Sequence, residues 1–117
     1  MIVKEKVPKG HITIRKVDET GKALQNGKFQ ITALEDIRSA SGNILLRAGT
    51  VADTIVTGGN GTAISKDIYL GKYKVSEVRP PAGYAISRQV FEANLSKTEP
   101  EKAILVRNQK MHLYIKK

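Results

Sequence analysis

Three well-separated stretches of this chain alternate polar and apolar residues, and each ends its apolar line on a polar side chain. Side chains of a β-strand point to opposite faces in turn, so every second residue shares a face. In Ile12-Thr13-Ile14-Arg15-Lys16-Val17-Asp18, one face carries Ile12, Ile14 and Lys16. In Tyr73-Lys74-Val75-Ser76-Glu77 it carries Tyr73, Val75 and Glu77, and in Ile104-Leu105-Val106-Arg107-Asn108 it carries Ile104, Val106 and Asn108. The β-branched residues mark these faces as core. A lysine, a carboxyl and a carboxamide therefore stand in line with buried positions. The pattern predicts that the three meet in one interior.

The rest of the chain supports a β interior and little else. Its 117 residues suit one domain, and a hydrophobic content of 40% is enough for a core. No run is long and apolar enough to span a membrane as a helix, and the Met1 start carries no secretory signal. Cysteine is absent, which excludes disulfides, thiolate catalysis and cysteine-bound zinc. The net charge of +9 would suit nucleic acid or an anionic cell surface. The basic residues are scattered, however, and mostly alternate with apolar ones along strands. That is the pattern of a solvated sheet face, and nucleic acid is not expected as a partner.

Taken in order, residues 1–10 read as a basic leader or linker, broken by Pro8 and Gly10 before the first strand. After a polar connection, with Leu24 plugging the core, Phe29, Ile31 and Ala33 alternate as a second strand. Glu35 to Arg38 reads as a turn or edge piece, and Ile44-Leu45-Leu46 as a short apolar segment. Val51, Ile55 and Val56 mark another strand. Gly58-Gly59-Asn60-Gly61 then predicts a hairpin into Thr62–Ser65. No Gly-Lys-Ser/Thr follows those glycines and no helix opens, so they do not read as a phosphate loop. Arg79-Pro80-Pro81 breaks the Tyr73 strand, because proline has no N–H to give. Strand character resumes from Tyr84 to Leu95, and the last strand runs from Ala103 to Asn108. About seven short strands with turn signals between them argue for an all-β sandwich.

The residues offer no metal site, cofactor motif or hydrolytic nucleophile. Asp18-Glu19 and Glu35-Asp36 lack the spacing of a calcium loop and read as solvated turns. His11 and His112 are far apart and carry no ligand pattern. The residues alone leave three arrangements of the polar trio open. Lys16 and Glu77 can form a buried ion pair with Asn108 merely hydrogen-bonded, although such pairs are expensive to desolvate. Lys16 can end its strand and reach out to solvent. Or the three can react.

The spacing of these pieces resembles the Cna-B-type domains of Gram-positive surface adhesins and pilins, also described as SpaA-like, prealbumin-like domains. The likeness rests on Gly10-x-Ile12-x-Ile14-x-Lys16-x-Asp18, on Leu24-x-x-Gly27-x-Phe29 and on Val106-x-Asn108. Its most specific piece is Leu70-Gly71-x-Tyr73-x-Val75-x-Glu77-x-x-x-Pro81-x-Gly83-Tyr84. Lys28 before Phe29 and the long excursion from Glu35 to Val56 depart from the pattern. The resemblance implies a Greek-key β-sandwich of the immunoglobulin or transthyretin type, here over residues 11–110. It also implies an intramolecular isopeptide bond between Lys16 and Asn108, promoted by Glu77, with no cofactor and no turnover. The implied role is a structural spacer on the bacterial cell surface or wall. Its partners would be neighbouring domains of the same protein, with any host ligand reached through other domains, and the module itself would be monomeric. The alternative is a ligand-binding sandwich that holds host matrix or carbohydrate on the loop region 35–50. Leu113-x-Ile115-x-Lys117 echoes Ile12-x-Ile14-x-Lys16, so residues 111–117 read as a strand end or as the opening of a following repeat.

The implied chemistry needs these three residue types. An amine attacks a carboxamide only when neutral, and a free lysine is almost fully protonated at neutral pH. Burial disfavours the charged form and can bring a lysine pKa down to roughly 5–6. A protonated Glu77 would donate a hydrogen bond to the Asn108 carbonyl oxygen and relay a proton to the departing ammonia. Folding supplies the orientation, which can be worth roughly 7–11 kcal/mol of barrier.

Overall fold

The computed structural model describes residues 7–110, which form ten strands and no helix. The strands are β1 (Lys9–Asp18), β2 (Lys28–Ala33), β3 (Ile37–Arg38), β4 (Ile44–Leu46) and β5 (Val51–Val56). They continue with β6 (Thr62–Ile64), β7 (Ile68–Tyr69), β8 (Gly71–Arg79), β9 (Val90–Leu95) and β10 (Glu101–Asn108). One sheet has the order β10-β1-β6, with β7 also paired to β1, and the second has the order β5-β2-β8-β9. β3 and β4 form a separate two-stranded ribbon. Among the described residues, β1 and β10 pair in parallel and every other ladder is antiparallel.

The core lies between the two sheets and is built by the period-2 faces. Ile12 and Ile14 of β1, Phe29 and Ile31 of β2, Tyr73 and Val75 of β8, and Ile104 and Val106 of β10 are all buried in it. Each fully buried Ile, Val or Phe contributes about 1.5–3 kcal/mol by leaving water. Tyr73 is large and fully buried, and its hydroxyl is satisfied by donating to the Tyr69 carbonyl. Strand ends have local causes. The Asp18 carboxylate accepts the N–H groups of Thr20 and Lys22 at 2.8 and 2.9 Å, turning the chain out of β1. Pro80 and Pro81 follow the last residue of β8 directly.

Four sequence expectations are corrected. Gly10 does not break the chain before the first strand but lies inside β1. A Cβ there would stand 1.9 Å from the Pro100 carbonyl oxygen, so the position needs a glycine. The Gly58–Gly61 turn forms, with Gly61 at φ 75°, but it is not a hairpin. β5 pairs with β2 and β6 pairs with β1, so the turn carries the chain from one sheet to the other. The strand expected from Tyr84 is present only as β9, Val90–Leu95, because the residues before it turn aside toward β10. The strand count exceeds seven because the 35–48 region forms its own ribbon. In addition, β7 leaves β1 before β8 begins in the other sheet. Residues 111–117, with the echo of the first strand, lie outside the described residues.

Candidate functional site

Lys16 enters the core because the backbone around it is held from both directions. Its N–H donates to the Gly61 carbonyl at 2.7 Å, and its carbonyl accepts the Leu24 N–H at 2.9 Å. Gly27 then crosses the lysine stem. A Cβ on Gly27 would sit 3.3 Å from the Phe29 ring, a tight approach, and 3.5 Å from Lys16 Cγ, an ordinary contact. Thr57 pins this crossing, accepting the Gly27 N–H at 3.0 Å and donating to the Leu24 carbonyl at 2.9 Å. The Leu24-x-x-Gly27-x-Phe29 pattern is therefore the cover over Lys16. No solvent reaches the lysine side chain, which excludes the snorkelling arrangement.

Glu77 comes from the facing sheet, where β8 sets it opposite Phe29 of β2. Asn108 closes β10 opposite Asp18 of β1. The three side chains meet as their strand faces predict. Glu77 Oε2 lies 2.8 Å from Lys16 Nζ, with the two side chains 1% and 0% exposed. Asn108 Nδ2 donates to Glu77 Oε1 at 2.8 Å and to Oε2 at 3.0 Å. The Phe29 ring stacks against the ammonium group, 5.7 Å from Nζ to the ring centroid.

Two features of this cluster are unusual for a settled ion pair. Lys16 and Glu77 are within contact distance, but no acceptor among the described residues meets Nζ at hydrogen-bonding angles. Asn108 Oδ1 is also buried without a donor. Buried polar atoms are ordinarily satisfied, and each exception calls for a reason. The Lys16 pKa is lowered: desolvation by burial pulls it down and outweighs the Glu77 contact and charge, which pull it up. The amide orientation differs from the expected one. Its nitrogen, not its carbonyl oxygen, faces Glu77, as befits a carboxylate that accepts; half a turn of the amide would present Oδ1 to it instead.

Sequence reasoning missed one group at the site. The Ser87 backbone N–H donates to Glu77 Oε1 at 2.7 Å. A main-chain donor has no side-chain signature, and the proline break after Arg79 was the one local sign that the chain leaves its ladder here. Elsewhere, His11 Nε2 lies 3.9 Å from a Glu101 carboxylate at the surface. The Asp36 carboxylate accepts the Ala48 N–H, as a turn residue does.

Fold and site together define a class, a prealbumin-like β-sandwich with a lysine, a glutamate and an asparagine gathered in its core. The chain belongs to the SpaA family of prealbumin-like fold domains, whose model matches residues 10–110. It is 31% identical over 81 residues to the trypsin-resistant surface T6 protein of Streptococcus pyogenes serotype M6, covering 69% of this chain and 13% of that protein. Among solved structures it is similar to BcpA, the major pilin subunit of Bacillus cereus, with a TM-score of 0.67 at 19% identity. It is equally similar to the major pilin SpaD of Corynebacterium diphtheriae, with a TM-score of 0.67 at 22% identity. The likeness covers 88% of this chain and 30% of each pilin. The chain therefore spans a small part of the relatives it matches, and at these identities the structural likeness is one of fold.

Proposed function

We propose that this chain is a structural module of a surface-exposed adhesin or pilus-like protein of a Gram-positive cell, locked by an isopeptide bond between Lys16 and Asn108. The observation that carries this reading is the complete burial of Lys16 against a carboxylate that also holds the Asn108 amide nitrogen. Glu77 Oε2 stands 2.8 Å from the atom that must lose a proton and 3.0 Å from the atom that must gain one. Neutral Nζ attacks Asn108 Cγ, and the Nζ–Cγ bond forms as the Cγ–Nδ2 bond breaks. Glu77 takes a proton from Nζ and returns one to Nδ2, and ammonia leaves. Glu77 ends as it began, but Lys16 and Asn108 do not, so the step occurs once and the module is not an enzyme.

The T6 and pilin relatives support the placement at the cell surface, with neighbouring domains of the same protein as partners. The load path supports the role. β1 and β10 are adjacent and parallel, so a pull on the two ends of the domain shears them past each other. A covalent bond between Lys16 and Asn108 would carry that load across the shear plane. Intact mass tests the reading. The folded, matured protein is expected to be lighter than its sequence by about 17 Da, one ammonia, and Lys16→Ala, Asn108→Ala and Glu77→Ala are expected to keep the full mass. Full mass in the matured wild-type protein overturns the cross-link.

A second reading, a ligand-binding module, rests on a cavity of about 380 Å³ against the 35–50 region, lined by Ile37, Arg38, Leu45 and Tyr69 among others. Salt-sensitive binding of a matrix protein or glycan that is lost on Arg38→Ala would support it.

A further inference from the structure

The segment between Pro81 and β9 buries little of itself, with Ala85 exposed and Ile86 42% exposed, so apolar packing does not explain its course. Hydrogen bonds do. The Tyr84 N–H donates to the Pro81 carbonyl, Tyr84 bridges to Lys110, and the Ala85 N–H donates to the Gln109 carbonyl at 3.0 Å. The strap is thus fastened to the residue that follows Asn108. Two residues further on, the Ser87 N–H reaches Glu77 Oε1. One short strap therefore holds both the amide-bearing strand and the carboxylate.

We propose that the Ser87 backbone N–H is a positioning group for the cross-linking step, an inference that rests on the isopeptide reading above. Glu77 Oε1 accepts Ser87 N–H and Asn108 Nδ2, while Oε2 faces Lys16 Nζ and Asn108 Nδ2. A carboxylate held at Oε1 by a fixed donor cannot rotate about its last bond. Oε2 then stays between the nucleophile and the leaving nitrogen. Hydrogen bonds to a charged acceptor are short and strong, and the 2.7 Å contact is of that kind. Without the N–H, Asn108 Nδ2 still meets both oxygens, but that donor sits on a rotatable side chain and is the group that must leave, so no fixed backbone donor keeps Oε2 between the two nitrogens. The serine hydroxyl has no part in this. Among the described residues it accepts a long contact from the Gln89 N–H, 3.4 Å away at the surface.

The test removes the N–H alone. The protein is refolded from denaturant, and loss of about 17 Da is followed by mass spectrometry. Ser87→Ala keeps the N–H and is expected to react at the wild-type rate. An amide-to-ester replacement at residue 87, with lactic acid in place of alanine, is expected to react about ten- to a hundred-fold more slowly per folded molecule, the worth of one hydrogen bond to a charged group. The ester differs from Ser87→Ala in that one group, so a wild-type rate in Ser87→Ala beside a slow ester assigns the loss to the N–H and not to the side chain. An independent measurement needs no ester. In Asn108→Ala protein the Ser87 amide is expected to exchange with deuterium at least about ten-fold more slowly than in Glu77→Ala/Asn108→Ala protein. Equal exchange, or an ester variant with the rate of Ser87→Ala, overturns the inference while wild-type mass loss leaves the cross-link standing. Absence of mass loss in the wild-type protein removes the cross-link itself.

Discussion

Asn108 lies two residues beyond Val106, the register partner of Lys16, on the neighbouring parallel strand and on the same buried face. That diagonal is a gap that the four-carbon stem of lysine spans together with the short amide of asparagine, and both side chains reach Glu77. The relationship is set by backbone register and would persist in any variant that keeps β1 and β10 paired. Substitutions of Lys16, Glu77 and Asn108 therefore change the chemistry of the site and leave its frame.

Asn108→Ala removes the electrophile and leaves Lys16 and Glu77 in contact. A bond from Lys16 to Asn108 closes a loop of about 90 residues, and closure of a loop of that size is worth roughly 4–5 kcal/mol by chain entropy. Thermal unfolding of Asn108→Ala is expected about 20 °C or more below the wild type, since 1 kcal/mol corresponds to about 4–8 °C in a domain of this size. Glu77→Ala is expected to fall further, because it also strands a buried lysine at a cost of about 3–5 kcal/mol. Lys16→Met/Glu77→Leu/Asn108→Ala is expected to equal or exceed Asn108→Ala in stability, because apolar residues often replace a buried ion pair without loss. Calorimetry on the four proteins checks the order.

The polar trio was legible because period-2 alternation fixes which residues of a strand share a face, whatever the strand pairs with. Lys16, Glu77 and Asn108 each continue an apolar line, so burying the line buries them. Pairing partners were less legible. Asn60-Gly61 announces a tight turn by its backbone preference, but whether the strands on either side pair depends on β1 and β2, which lie more than 20 residues earlier in the chain. Ser87 was illegible for a different reason. It contributes a backbone N–H that every residue but proline possesses, and only the three-dimensional course of the strap brings it to Glu77.

Mechanical extension separates the cross-link from ordinary stability. With Lys16 bonded to Asn108, the chain between them carries no tension, and pulling the ends of the wild-type domain is expected to give no unfolding step. Asn108→Ala is expected to unfold and release about 90 residues, close to 300 Å of contour at roughly 3.3–3.6 Å per residue. Single-molecule force spectroscopy on tandem copies reads this directly. A wild-type step of that length would show an unbonded domain.

The stability of Asn108→Ala is expected to rise with pH on the neutral-to-alkaline side and then to fall. Burial lowers the Lys16 pKa from 10.5, so below 10.5 the unfolded chain binds a proton that the folded chain resists, and stability grows as pH climbs toward that value. Burial raises the Tyr73 pKa from 10.0 to about 12, so above 10 the unfolded chain ionises first and stability is lost. Urea titrations of Asn108→Ala against Lys16→Met/Asn108→Ala isolate the lysine. Asn108→Ala is expected to gain stability relative to Lys16→Met/Asn108→Ala as pH climbs toward 10.5, and a difference that stays flat from pH 6 to 10.5 would mean that Lys16 is not desolvated.

Gly61→Ala tests how far the sheet-crossing turn governs the site. Gly61 has φ 75°, and a Cβ there would stand 2.7 Å from the Lys16 carbonyl oxygen and 2.8 Å from Ala23 Cβ. The left-handed backbone alone costs a residue with a side chain about 1–2 kcal/mol, and the two close approaches add to it because neither neighbour is the free end of a flexible chain. The same carbonyl belongs to the residue whose N–H donates to Gly61 O at 2.7 Å, so the turn cannot yield without moving Lys16. Gly61→Ala is expected to lower stability by about 2 kcal/mol or more and also to slow the loss of ammonia, although it touches none of the three reacting side chains. Gly21, with φ 94° and no atom within 4 Å of its missing Cβ, supplies the control. Gly21→Ala is expected to show the backbone cost alone and to mature at the wild-type rate. Equal maturation rates in the two variants would detach the turn from the placement of Lys16.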